Sequence, residues 1–245
     1  MSDGDQKIRR MRIPLICALI CIICVSFAQV IFCIAYPVPE RDSLKYKETI
    51  NEIYEKGQIT DRNIPSFPLL LMSIPNRLFG MDLIKGGIVL NCMFGLLTSI
   101  GVLNTAYALT KSKSISTLAG IIVGTHPTML RYSSQMLREA PFIFFTCFGI
   151  ILALDFVMME KKKHLLILSA IFVGLSFLSR HEGLEVFLLL TVFFFLRSRK
   201  KLLNISTYAV SFIITIVAVL YICEIDTVGD YISNMFEEIL RKTIL

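Results

Sequence analysis

Basic residues on alternate connections constrain this chain more than any other feature. Lys7/Arg9/Arg10/Arg12, Lys111/Lys113, Lys161/Lys162/Lys163 and Arg197/Arg199/Lys200/Lys201 are separated by apolar stretches. A helix crosses the hydrocarbon core with about 20 mostly apolar residues, and Lys and Arg in short connections stay on the cytoplasmic side. The stretches predict seven spans, at about 13–36, 84–108, 115–130, 140–159, 164–180, 183–197 and 202–223; the third, fifth and sixth are short. All four basic clusters then face one side, which puts the N-terminus in the cytoplasm. The expectation is an all-α polytopic, multi-pass membrane protein, with residues 1–245 forming a single transmembrane module.

Composition excludes the main alternatives. The chain is 55% hydrophobic and 18% charged, with a mean hydropathy of +0.68, more apolar surface than a soluble domain can hide. The net charge of +6 comes in short clusters and never forms a continuous basic face, so no nucleic-acid partner is expected. Cys17, Cys21, Cys24, Cys33, Cys92, Cys147 and Cys223 lie in or beside apolar runs and read as small hydrophobes, not a disulfide framework. Cys17, Cys21 and Cys24 have the spacing of an iron–sulfur motif, but they fall on a continuous apolar helix instead of an irregular loop. Ser26-Phe27-Ala28 mimics a signal cleavage site, yet the apolar run continues to Tyr36 and is expected to stay as an anchor.

The polar remainder falls on the outer side. The 37–83 loop is the long one. Within it, Ser43 to Lys56 spaces Tyr46, Ile50, Ile53 and Tyr54 along one helical face opposite Lys45, Lys47, Glu48, Glu52 and Glu55, which predicts an amphipathic helix at the membrane surface. Pro65, Pro68 and Pro75 are expected to break up the next apolar stretch, Leu69 to Ile74, which dips into the interface. The tail after Cys223 is a further amphipathic segment, with Tyr231, Met235, Ile239 and Leu240 among charges.

Charges at span ends are costly unless paired or facing a wet cavity. Glu40-Arg41-Asp42 follow the first span, Arg131 and Tyr132 the third, and Arg138-Glu139 precede the fourth. Arg180-His181-Glu182 turn between the fifth and sixth spans, with Glu185 one helical turn on. Such a face suits an anionic lipid-linked substrate: cations hold phosphate, and a carboxylate takes a proton from an acceptor hydroxyl. Plainer readings stand beside this one. Asp42 or Ser43 caps the surface helix, Arg131 and Arg138 snorkel, and Arg180 and Glu182 close the hairpin as an ion pair. His181 is a turn residue, and His126 before Pro127 packs beside a kink or is an intramembrane ionisable group. Asp155 is expected to pair with a basic neighbour.

In order, these passages resemble the N-terminal half of the GT-C glycosyltransferases, specifically the dolichyl-phosphate-mannose–protein mannosyltransferase-like group. Glu40-Arg41-Asp42 with Ser43 and Tyr46 resembles the acidic motif of the first outer loop and its surface helix. Ile64 to Leu70, running on to Phe79-Gly80, is similar to the Pro-rich segment that follows. Tyr132-Ser133 to Arg138-Glu139-Ala140-Pro141-Phe142 resembles the start of the fourth span, and Gly174 to Leu184 the later Arg-x-Glu-Gly hairpin. The resemblance implies inverting transfer of a sugar from a polyprenyl-phosphate-linked donor to a lipid or protein acceptor at the outer face of the membrane. Asp42, or secondarily Glu40, would be the base. Tyr46, Arg131, Arg138, Glu139, Arg180 and Glu182 would line the substrate site, the three arginines being chosen by charge and side. The resemblance leaves any divalent metal open, and no metal ligands are indicated. Members of the group carry further spans and often a soluble outer domain, so the alternatives are a second chain supplying the missing half, a non-catalytic assembly partner or shortened relative, and a transporter using His126, Asp155 and Glu185.

Overall fold

The computed structural model describes residues 23–25, 28–29, 31–32, 35, 41–56, 66–159, 162–198 and 201–222. Glu40, Ile64 and Pro65, most of the 13–36 span and the tail from Cys223 onward lie outside them. Nine helices follow in order among the described residues after position 40: α1 (Arg41–Lys56), α2 (Ser66–Phe79), α3 (Leu83–Thr110), α4 (Lys113–Thr125), α5 (Pro127–Ser133), α6 (Glu139–Met159), α7 (Lys163–Ser179), α8 (Gly183–Arg197) and α9 (Lys201–Ile222). No strand occurs among the described residues.

Three helices are long and apolar enough to cross a membrane: Leu83–Thr110, Glu139–Met158 and Lys201–Tyr221. They coincide with the second, fourth and seventh expected spans. α4 and α7 are shorter apolar helices, and α8 has 15 residues. At about 1.5 Å per residue, a helix of α4's length falls well short of a hydrocarbon core of about 30 Å.

Two local expectations need correction. The third span is not continuous: α4 stops at Thr125 and α5 starts at Pro127. A residue before proline is kept out of the helical region, and His126 is extended at φ −61° and ψ 129°. Its Nδ1 accepts the Thr128 N–H at 3.3 Å, so His126 is an N-cap, with proline at the first helical position. The prolines of the first loop, in contrast, do not break its apolar stretch. Pro68 lies in the first turn of α2, where its missing N–H is not needed, and the helix continues through Pro75. Leu69 and Met72 are fully buried against other parts of the protein.

α3 is the hub, packed by α2, α4, α5 and α6, while α7 lies between α6, α8 and α9. Small residues allow the close approaches, as is usual between membrane helices. Gly101 lies under Phe148 and Ile151, Gly149 against Val173, and Gly174 against Thr215. Interhelical hydroxyl bonds accompany them: Ser116 Oγ donates to the Leu103 carbonyl at 2.5 Å, Ser169 Oγ to that of Gly149 at 2.7 Å, and the Thr146 and Ser176 hydroxyls meet at 2.6 Å. Phe94, Phe144, Phe145, Phe148 and Phe172 form one aromatic cluster between α3, α6 and α7. Antiparallel pairing of α6 with α7, and of α7 with α8, brings the start of α6 and the α7–α8 turn to the same end of the bundle.

Gly183 makes that turn possible. A Cβ there would stand 2.5 Å from the Phe177 Cα, a backbone atom that no rotamer change can move. Gly183→Ala should destabilise the protein by about 1–3 kcal/mol or more through overpacking, read as a lower unfolding midpoint in detergent. An unchanged midpoint would contradict the close crossing.

Candidate functional site

Three separate parts of the chain build the site. The first is α1. Its buried face, Tyr46 and Ile50 with Ile53 beside them, packs on Leu69 and Met72 of α2, on Leu83, Ile84 and Ile88 of α3, and on Met136 and Leu137. The amphipathic pattern is therefore satisfied by protein, where the sequence pointed to a membrane surface; Tyr54, assigned to the same face, is exposed. Lys47 Nζ lies 3.5 Å from Asp82 Oδ2, and Asp82 caps α3 by accepting the Ile84 and Lys85 N–H groups at 3.1 and 3.2 Å. Burial alone would raise the Asp82 pKa, but the Lys85 N–H, the Lys47 ammonium and the Ile84 N–H outweigh it and hold the carboxyl below its usual range. At the other end of α1, the Arg77 guanidinium lies 4.8 Å over the Tyr54 ring. Ser43 is buried, and its Oγ donates to Gln135 Oε1 at 3.5 Å, so it does not cap the helix. Asp42 sits exposed in the first turn, where the helix dipole favours a negative charge.

The second part is the segment from Ser133 to Arg138, held by one face of α3. Asn91 Nδ2 donates to the Gln135 carbonyl at 2.7 Å and to the Leu137 carbonyl at 2.8 Å. Cys92 Sγ donates to the Ser133 carbonyl at 3.0 Å. Gly87 and Gly95, each one helical turn from Asn91, leave the space that Met136 and Ser133 occupy. The third part is the α7–α8 turn. There Arg180 Nη1 donates to Glu139 Oε1 at 2.8 Å, and its Nη2 and Nε donate to Glu182 Oε1 and Oε2 at 2.8 and 3.2 Å.

Tyr46 lies where the first two parts pack together. Burial pushes its phenol up to about 12; Arg138 opposes this, Glu139 and Asp42 add to it, and Arg180 opposes it. The charges of Asp42, Arg138, Glu139 and Arg180, far apart in sequence, thus act on one buried phenol. Its O–H remains protonated at physiological pH and can donate a hydrogen bond.

The arginines are not equivalent. Both edges of the Arg180 guanidinium are taken by carboxylates. Burial would lower its pKa, but Glu182 and Glu139 outweigh this and raise it. Glu182 is correspondingly held down at about 2: burial would raise it, but the Arg180 hydrogen bond leads the contributions that outweigh burial. Arg138 is half-buried and forms no ion pair among the described residues. Arg131, on α5, is exposed and is absent from the charges that act on Tyr46. His181 Nδ1 lies 3.6 Å from Glu182 Oε2, Glu185 is exposed, and Asp155 makes no ion pair among the described residues. Asn91 and Gln135 escaped the sequence reading because neither is charged; the available signal was an amide side chain within an apolar span, which Asn91 shares with Asn104.

The sequence profile of the dolichyl-phosphate-mannose-protein mannosyltransferase family matches residues 76–229. The match takes in α3 to α9 and with them Arg131, Arg138, Glu139, Arg180 and Glu182, while Asp42 and Tyr46 precede it. No curated protein matches the chain.

The Glu139–Arg180–Glu182 triad makes a stability prediction. A glutamate held down at about 2 stabilises the fold fully above its unfolded value of about 4.3, and that contribution is lost as pH falls from there toward 2. Arg180→Leu should cost about 1–3 kcal/mol, less than a fully buried pair because the three side chains are partly solvated. It should also flatten the acid limb of the unfolding midpoint against pH. A variant with the wild-type acid limb would show that the triad does not carry it.

Proposed function

Because the chain belongs to the dolichyl-phosphate-mannose-protein mannosyltransferase family, a family of membrane glycosyltransferases, we propose that it transfers a sugar from a polyprenyl-phosphate-linked donor to an acceptor hydroxyl at the outer face of the membrane. The observation that carries this reading is geometric: Tyr46 packs against Met136 and Leu137, which lead directly into Arg138 and Glu139. Glu139 binds Arg180 at 2.8 Å, and Asp42 lies one helical turn before Tyr46 on α1. The influence of all four charges on the Tyr46 phenol accords with this. The arrangement joins a carboxylate to cations at one end of the helical bundle, as displacement of a phosphate by a hydroxyl requires.

In the proposed reaction the acceptor oxygen attacks the anomeric carbon from the face opposite the phosphate. The new C–O bond forms as the bond to the phosphate oxygen breaks, and the configuration inverts. Asp42 takes the hydroxyl proton, and its exposure leaves it open to an acceptor arriving from water. Glu40 is the second candidate for that role. The polyprenyl phosphate leaves with the bonding electron pair, and a positioned cation is worth most at that developing charge. Arg138 fits this task better than Arg180. A guanidinium without a carboxylate partner can take up a phosphate, whereas Arg180 would first have to give up Glu139 or Glu182. Arg131 is a second cation for the phosphate, and the Tyr46 O–H is a neutral donor beside it. Arg180, with Glu139 and Glu182, frames the site.

Two variants test the assignment. Asp42→Asn should lower kcat by about 10²–10⁴-fold, the range for a general base, at an unchanged unfolding midpoint; full activity in that variant removes Asp42 from the mechanism. Arg138→Ala should raise KM for the lipid-linked donor by about 10-fold or more, as expected for the loss of a charge-assisted hydrogen bond worth about 1.5–3 kcal/mol. Native mass spectrometry of the purified protein reads the donor directly: a retained polyprenyl phosphate sugar supports the reading, and bulk phospholipid alone opposes it.

A further inference from the structure

One fully buried polar side chain has no part in the chemistry above. Asn91 has 0% exposure on an apolar helix, where an unsatisfied amide costs about 1–3 kcal/mol. Its Nδ2 gives hydrogen bonds to the carbonyls of Gln135 and Leu137 at 2.7 and 2.8 Å, while its Oδ1 has no hydrogen-bond partner. The donors are therefore what this position uses. The opposite amide orientation would set Oδ1 against two carbonyl oxygens, so the assignment is unambiguous.

Both partners belong to one irregular segment, and that segment leads directly into Arg138. The Leu137 carbonyl is fixed by Asn91, and the Arg138 carbonyl accepts the Phe142 N–H of α6 at 3.2 Å. The backbone carrying the Arg138 side chain is thus anchored on both sides, once by α3 and once by α6. Gln135, also held by Asn91, meets Ser43 of α1 one residue from Asp42. We infer that Asn91 is a positioning residue that sets Arg138 against the phosphate of the lipid-linked donor, an inference that rests on the glycosyl-transfer reading.

A purely structural Asn91 would weaken the fold without regard to Arg138, whereas a positioning Asn91 acts through it. A double-mutant cycle on the full chain separates the two. The readout is the affinity of the detergent-solubilised protein for farnesyl phosphate, a short polyprenyl phosphate, by titration calorimetry. Asn91→Leu keeps the volume and removes both donors; Asn91→Asp, protonated in its dry surroundings, keeps one donor and folds where the leucine variant fails. Wild type should bind, Asn91→Leu should raise Kd about 3- to 10-fold and Asn91→Asp by less. Either change should fall below about 2-fold in an Arg138→Ala background. Wild-type affinity in both Asn91 variants, or an equal loss with and without Arg138, overturns the positioning role and leaves the transfer reading standing. Failure of the wild type to bind farnesyl phosphate overturns the transfer reading itself, and this inference with it.

Discussion

After α5 ends at Ser133 the backbone turns irregularly to Leu137, and a buried carbonyl left without a donor there would cost about 1–3 kcal/mol. One helix face supplies donors to three of the carbonyls from 133 to 137. Asn91 supplies two donors and Cys92 one, and Gly87 and Gly95 remove the side chains that would hold the segment away. The docking places Met136 and Leu137 as part of the floor on which α1 lies, with Arg138 and Glu139 next in the chain.

The charges divide by their partners among the described residues. Partly buried ions need partners, and Arg180 has two, which tie the start of α6 to the turn between α7 and α8. That arrangement fixes where two pairs of helices meet and leaves the guanidinium little capacity for a ligand. Arg138, one residue before Glu139, forms no ion pair among the described residues, and its charge acts on Tyr46. Adjacent residues at the same helix start thus take opposite parts, because the Glu139 carboxylate reaches Arg180 across the bundle.

Parts of this arrangement were legible in the chain. The amphipathic spacing of Tyr46, Ile50 and Ile53 predicted α1, and the pairing of Arg180 with Glu182 was one of the plainer readings of the α7–α8 turn. The surface on which α1 lies was not legible, since helical periodicity identifies an apolar face and says nothing of what covers it. Prolines misled in one direction: Pro68 and Pro75 are accommodated in α2, whereas Pro127, where a kink was expected, does interrupt the helix, because the residue before it is kept out of the helical region. Asn91 was invisible for a related reason: a neutral amide in an apolar run carries no charge signal, and its worth lies in carbonyls more than 40 residues away.

The sequence by itself determined what depends on neighbours along the chain: the all-helical character, the apolar helices that belong in a membrane and the roster of ionisable groups at the ends of apolar stretches. Only the tertiary structure decided which of those groups meet and that, among the described residues, Arg180 is held by two carboxylates while Arg138 is held by none. The division has a simple cause. Helix formation and hydropathy act over a few residues or one helical turn, whereas an ion pair or a buried hydrogen bond acts over about 3 Å of space, a distance fixed only once the helices have packed.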